Sequence, residues 1–369
     1  MRGRPLLPFL SPLLALSVIA AACGGGGGEE GADGTGQENG GSSTTSNPAA
    51  TTSSTPGPPP GPPTTRGPAP EVTVEPIGAM GGTVVLSGEP AYRGVLGQID
   101  PDRNVVAPVA LPPAPAAPGI APLTGLPLDD PAVAGRPALL VKIDNTAKGR
   151  PQEALARADL VYEELIEGGF TRLAAVYHTH SPLLGPVRSG RTTDIALLGS
   201  LNEPIFAWSG ANRVHAALLR RQDFVDLGAA TIRNYFRADD RPGTYDLMTE
   251  SDVLRDLAAQ RDAGGAPPPH FEYRDATIGL PASAVAATGA SIDFPSVSVE
   301  WTWEAATAGW ARTQDGSRHV DAQDVPVVAR NVVIAEVGVV GTGSVDLSGS
   351  SVDEQLFLGT GRGWVLSDG

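Results

Sequence analysis

The chain has 369 residues, of which 46 are Gly and 35 are Pro. That is about 22%, nearly double the roughly 12% of ordinary proteins, so part of the chain cannot pack into a core. Its 26 basic and 41 acidic residues leave a net charge of −15, which argues against nucleic acid or any other partner held by phosphate neutralisation. One Cys excludes an intramolecular disulfide and a thiolate zinc site within one chain.

At the N-terminus Arg2 and Arg4 precede an apolar run, Leu6 to Ala22, interrupted by Pro8 and Pro12 and ending at Cys23. A basic start, a short apolar stretch and small residues read as a secretory signal, and no other segment approaches the ~20 apolar residues of a membrane span. The run Val18 to Gly24 resembles a bacterial lipobox, with Ala20 where Leu is usual. This resemblance implies cleavage after residue 22, lipidation at Cys23 and anchorage on the outer face of the cytoplasmic membrane. The alternative is a plain signal peptide with an incidental Cys.

Residues 23–70 are Gly, then Ser/Thr, then Pro, without one aromatic residue. Such a composition buries nothing and reads as a disordered tether. Residues 71–121 hold two short strand-like pieces, Thr83 to Leu86 and Val105 to Leu111, amid dense Pro, and read as a semi-ordered arm.

An ordered domain is expected over 122–262. Pro137 to Asp144 reads as a buried strand delivering Asp144 and Asn145 at its end. Pro151 opens a short helix to Arg157. Asp159 to Glu167 and Phe170 to His178 read as an antiparallel hairpin turned by Gly168 and Gly169. Thr192 to Leu201 and Ala211 to Arg221 read as helices around a strand, Pro204 to Trp208. Phe224 to Leu227 and Thr231 to Phe236 are further strands, and Thr249 is expected to cap a helix reaching Arg261. Strands interleaved with helices predict an α/β domain with a mixed sheet. After a linker at 263–269, helical patterns vanish. Residues 270–369 read as a mainly β module holding Trp301, Trp303, Trp310 and Trp364, and the last residues look like a strand cut short.

Six ordered segments carry a family resemblance: PLTGLP at 122–127, VKIDN at 141–145, RPQ at 150–152, ADLVYEE at 158–164, EGGFTR at 167–172 and GPVRSGR at 185–191. With them the chain resembles the YerB-like lipoproteins, a family of unknown function on bacterial cell surfaces. Trp310, Arg312, Asp315 and Gly316, and later ARNVV at 329–333, resemble its C-terminal β module. The resemblance implies a two-module extracytoplasmic lipoprotein and brings no reaction with it. Where the family often shows Pro-His-Asn, this chain has Tyr245 and Asp246.

For chemistry, the segment Arg188, Ser189, Gly190, Arg191 is the leading candidate. Ser189 could cap the following helix, whose free N–H groups and dipole, flanked by two guanidinium forks, suit an anion. The alternative is that both arginines pair internally with Glu163, Glu164 or Glu167. A second polar cluster comprises Lys142, Asp144, Asn145, Arg150, Glu163, Glu164, Glu167 and Arg172. Its carboxylates could act as acid and base or hold a hard cation. Strand alternation, however, sets Glu163 and Glu167 on one face and Glu164 on the other. His178 and His180 lack a visible third metal ligand, and Ser209 before Gly210 lacks the pattern of a nucleophile elbow. No P-loop or dinucleotide fingerprint appears, so no cofactor is expected. The expectation is a binding or scaffold protein of the envelope, recognising an anionic ligand such as a cell-wall polymer, or an envelope protein. The alternative is a hydrolase or transferase using Asp144 or Glu164 with Arg188 and Arg191.

Overall fold

A computed structural model describes residues 13–20, 119–271, 286–345, 351–356 and 363–368, with the isolated positions 273, 280, 284 and 349. Cys23, the tether at 23–70 and the arm through 118 lie outside the described residues.

The first domain is built on five strands. These are β2 (Leu139–Asp144), β3 (Leu160–Leu165), β4 (Thr171–Tyr177), β6 (Ile205–Ala207) and β7 (Val225–Asp226). They lie in the order β3-β4-β2-β6-β7. The hairpin β3–β4 is antiparallel, turned by Gly168 and Gly169 at φ 70° and 75°, and β2, β6 and β7 run parallel. Preceding them, β1 (Leu13–Ala20) runs parallel to β3, and on its other side parallel to β14 (Val328–Val345). It thereby joins the sheets of the two modules. A separate three-stranded sheet, in the order β5-β9-β8, is made by β5 (Leu183–Leu184), β8 (Tyr235–Arg237) and β9 (Leu247–Glu250).

The second module adds β10 (Gly289–Phe294), β11 (Val297–Glu304), β12 (Gly309–Gln314), β13 (Ser317–Arg318), β15 (Ser351–Leu356) and β16 (Gly363–Ser367). The β12–β13 turn is Asp315 and Gly316, both at positive φ (51° and 73°), the backbone that a two-residue Asp-Gly hairpin loop requires. Trp301 and Trp310 lie buried in this module's core with Val299, Ile292 and Ile334.

The expected α/β class does not hold: the molecule is predominantly β. Among the described residues the α-helices are α1 (Asp194–Gly199), α2 (Arg213–Leu219) and α3 (Ser251–Gln260), of six, seven and ten residues. These three helices complete only about two to three turns each. The expected helix after Pro151 is a single 3-10 turn, Leu155–Arg157, because Ala154 sits in the left-handed region at φ 46°. Two expected caps also fail. Ser189 lies five residues before α1 and its hydroxyl meets that of Ser209 at 3.3 Å. Thr249 is inside β9, its hydroxyl bonded to the Asn234 carbonyl.

Period two along the sheet sends side chains to two cores. Leu139, Val141, Ile143, Leu173 and Tyr177 pack beside α3 residues Leu254 and Ala258. On the opposite face Leu140, Tyr162, Val176 and Phe206 pack beside α1 and α2. The segment 263–270 is pinned rather than free: Gly265 N–H donates to Asn202 O, and the His270 ring meets the Tyr162 hydroxyl at 2.7 Å.

Candidate functional site

Charged residues gather where β2, β3 and β4 come together, and the two sheet faces sort them into two groups. On one face Lys142 Nζ contacts Glu164 Oε2 at 2.5 Å and Asp194 Oδ1 at 2.8 Å, all three side chains fully buried. Asp194 Oδ2 in turn accepts the Arg191 N–H (2.7 Å), tying the loop 188–191 to the start of α1. Arg191 grips Glu167 with two hydrogen bonds, Nε to Oε1 at 2.7 Å and Nη2 to Oε2 at 2.5 Å. Because β3 ends at Leu165, Glu167 leaves the strand alternation and turns to the Glu164 side, contrary to expectation. Arg172 donates to the Ser189 carbonyl at 2.9 Å, while its Nε and Glu164 Oε1 are buried without a hydrogen-bond partner. Burial raises the Glu164 carboxyl to about 7, against the pull of Lys142. Burial, reinforced by Arg191 and Arg188, lowers Arg172 to about 9.

On the other face Glu163 receives Arg312 Nη2 on both oxygens (2.8 and 2.9 Å), with Thr171 and Asn145 on Oε1. Gln314 Nε2 donates to the Asn145 carbonyl, and His319 lies between Arg312 (2.5 Å) and Gln152 (2.8 Å). Arg150 pairs with Asp315 at 2.8 Å on the rim. These groups form a seam between the two modules. The sequence reading placed Asn145, Arg150 and Glu163 in one cluster with Lys142 and Glu164; the sheet separates them.

Arg188 belongs to neither group. Segment Gly185–Arg188 runs along the end of β2, with Asp144 N–H to Pro186 O at 3.0 Å and Arg188 N–H to Lys142 O at 2.9 Å. Its far side accepts the Ser209 N–H, so the segment separates the carboxyl ends of β2 and β6 and opens a cavity of about 520 Å³. The ends of neighbouring parallel strands are where open sheets bind ligands. Arg188 is fixed there by Asp144 (Nε to Oδ2, 2.9 Å), by the Thr244 carbonyl (3.1 Å) and by the Tyr245 ring, 5.3 Å beneath it. Gly149 permits this, since a Cβ there would stand 2.3 Å from Asp144 Oδ1.

Arg233 and Arg237 complete the cavity's cations, Ser209 and Thr244 supply hydroxyls, and Ala229, Ala230, Ile232 and Leu247 form an apolar wall. Arg237 pairs with Asp246. The sequence reading missed both rim arginines: Arg233 lies within the stretch 231–236 that it took for a strand, and Arg237 follows directly, at the end of β8.

Of the two arginines read as an anion site, the structure brings only Arg188 to an open cavity; Arg191 is committed to Glu167. Asp144 and Glu164, the carboxylates of the enzymatic alternative, are buried and paired, and they do not converge with Arg188 and Arg191 on one opening. His178 is buried against the Arg136 carbonyl, held down to about 4 by burial, and no set of three metal-ligating side chains occurs among the described residues.

Comparisons with known proteins agree with this architecture. The chain is 29% identical over 237 residues to "Putative lipoprotein YerB" of Bacillus subtilis (strain 168), covering 58% of this chain and 66% of that protein, just under two thirds of its length. The crystal structure of YerB protein from Bacillus subtilis superposes with a TM-score of 0.56 at 23% identity, over 68% of this chain and 83% of that one, which shows a common fold. Residues 123–264 match the model for the N-terminal domain of a protein of unknown function, DUF3048, and residues 290–369 match the model for its C-terminal domain. With more than half its length matched by the two models, the chain belongs to the DUF3048 family.

Proposed function

We propose that this protein is a lipid-anchored, extracytoplasmic component of the bacterial envelope whose first domain binds an anionic ligand in the cavity over Arg188. The observation that carries this reading is the cavity's lining, which has three arginines and no carboxylate in a chain of net charge −15. Its place at the carboxyl ends of β6 and β7 supports a ligand site. Guanidinium forks suit phosphate or carboxylate, and Arg188 is held in one orientation before any ligand arrives.

The anchor rests on Cys23, the sole cysteine, directly after the small residues of the signal, and on the relative's name. Acyl chains contribute ~0.8 kcal/mol per buried methylene, enough in combination for stable attachment. Residues 23–70 then act as a tether carrying the domain away from the membrane. Removal of the signal also removes β1, leaving the modules joined by the seam around Glu163 and by the bonds of Gln355 to Leu165 and Thr193.

A thermal-shift comparison of wild type with Arg188→Ala tests the ligand reading, with inorganic phosphate, polyphosphate and muropeptides as probes. A ligand at 100 times its Kd stabilises by ~2.7 kcal/mol. Stabilisation present in wild type and reduced in the variant is the expected result; none from any probe would sink the reading.

A further inference from the structure

The three arginines of the cavity are not equivalent, and their division of labour rests on the anion-binding reading and deepens it. Arg188 is already neutralised: its Nε lies 2.9 Å from the buried Asp144 carboxylate and its Nη1 donates to Thr244 O. An anion placed on Arg188 would meet the Asp144 charge immediately behind it, a like-charge contact in a poorly solvated place. Arg237 is offset by Asp246. Arg233, on the rim, has no ion pair or hydrogen bond among the described residues. The uncompensated positive charge of the cavity is therefore at its rim.

We infer that Arg233 captures the anionic group of the ligand while Arg188 serves as a fixed donor to a neutral oxygen, so that the cavity takes a sugar or polyol bearing a phosphate or carboxylate. The lining fits each part of such a molecule. Arg188 and the Ser209 and Thr244 hydroxyls face the hydroxylated body. Ala229, Ala230, Ile232 and Leu247 offer an apolar wall to the C–H face of a ring. Arg233, with Arg237 beside it, stands where the charged substituent projects toward solvent. A cavity of about 520 Å³ lies within the ~300–1,000 Å³ of small-molecule sites and holds one or two sugar rings.

The test is calorimetric titration of the full chain with four probes: glucose 6-phosphate, glucuronate, glucose and inorganic phosphate, each at low and physiological salt. Either charged sugar is expected to bind more tightly than glucose or phosphate alone, and the first two probes separate a phosphate from a carboxylate preference. Arg233→Gln is expected to weaken the charged sugar by about tenfold to a hundredfold and to flatten its salt dependence, with Arg233→Lys restoring both. Arg188→Gln is expected to weaken binding while leaving the salt dependence intact. Charged-sugar binding that ignores Arg233→Gln, or a salt dependence abolished by Arg188→Gln alone, overturns the assignment but leaves an anion cavity standing. Binding of inorganic phosphate as tight as the sugar phosphate overturns the sugar specificity. No binding of any probe overturns this inference, and failure with polyphosphate and muropeptides as well overturns the anion reading beneath it.

Discussion

Glu163 and Glu164 are adjacent residues of one strand, both buried, and they lead opposite lives. Glu163 faces the second module, where Arg312, Asn145 and Thr171 satisfy it and one contact spans 149 residues of sequence. Glu164 faces the other core, held by Lys142 alone, with Oε1 unpartnered and Asp194 competing for the same ammonium. Position along a strand decides which partners a charge meets. Glu163 is satisfied across the seam, whereas Glu164, its carboxyl raised by burial, can take up a proton.

Breaking each pair exposes this difference. Arg312→Met leaves Glu163 buried without its bidentate partner, and the expected loss of unfolding free energy is about 4 kcal/mol. Urea denaturation of wild type is expected to show one transition and the variant two, since the seam no longer couples the modules; a loss under about 1 kcal/mol would show that the seam is not a joint. Lys142→Met leaves Glu164 and Asp194 facing one another, and protonation of Glu164 relieves part of the damage. The expected loss is about 3 kcal/mol at pH 7, shrinking as the pH falls. An undiminished loss at pH 5 would show that protonation of Glu164 relieves none of the damage.

The same option gives a pH signature without breaking anything. Burial raises Glu164 from 4.5 to about 7 in the folded protein. The folded state therefore binds a proton more readily than the unfolded chain between those values. Stability from this group is complete below pH 4.5 and is lost as the pH rises through 7, on the order of 2 kcal/mol between pH 5 and 7. Glu164→Gln is expected to flatten that interval in chemical denaturation, and an unchanged slope would assign the dependence elsewhere.

Much of this was legible in the sequence, and the limits have physical causes. Apolar runs located β2, β3, β4, β6 and β7, and the turn chemistry of Gly168 and Gly169 located the β3–β4 hairpin, because turns and burial are local. The α/β class was not legible, because helical periodicity does not report how few turns a segment completes before it is capped. The seam was also hidden. Arg312, Gln314 and His319 alternate on β12 and beyond it as any strand residues do, and only the approach of the second module aims them at Glu163. Likewise the Arg191–Glu167 pairing was foreseen as the alternative to an anion site, whereas the Arg188–Asp144 pair required the close packing of segment 185–188 against β2.

That close packing offers the finest probe of the comparison, because it can move the cavity without touching either glutamate. Gly149 stands so near Asp144 that an added Cβ would lie 2.3 Å from Oδ1 and 2.7 Å from the side-chain Cβ. Gly149→Ala must therefore push the Asp144 carboxylate away from its place, at a cost of about 1 kcal/mol if the loop 145–149 yields. Asp144 Oδ1 also accepts the N–H and the hydroxyl of Thr146, so the displacement opposes two further bonds on the same oxygen. Its other oxygen is the one that fixes Arg188. The variant is expected to keep the Glu164 pH profile and the single unfolding transition, yet to loosen Arg188 and weaken ligands that use it. Loss of the pH profile in Gly149→Ala would mean that the cavity and the Lys142 cluster form one electrostatic unit rather than two neighbours sharing the end of β2.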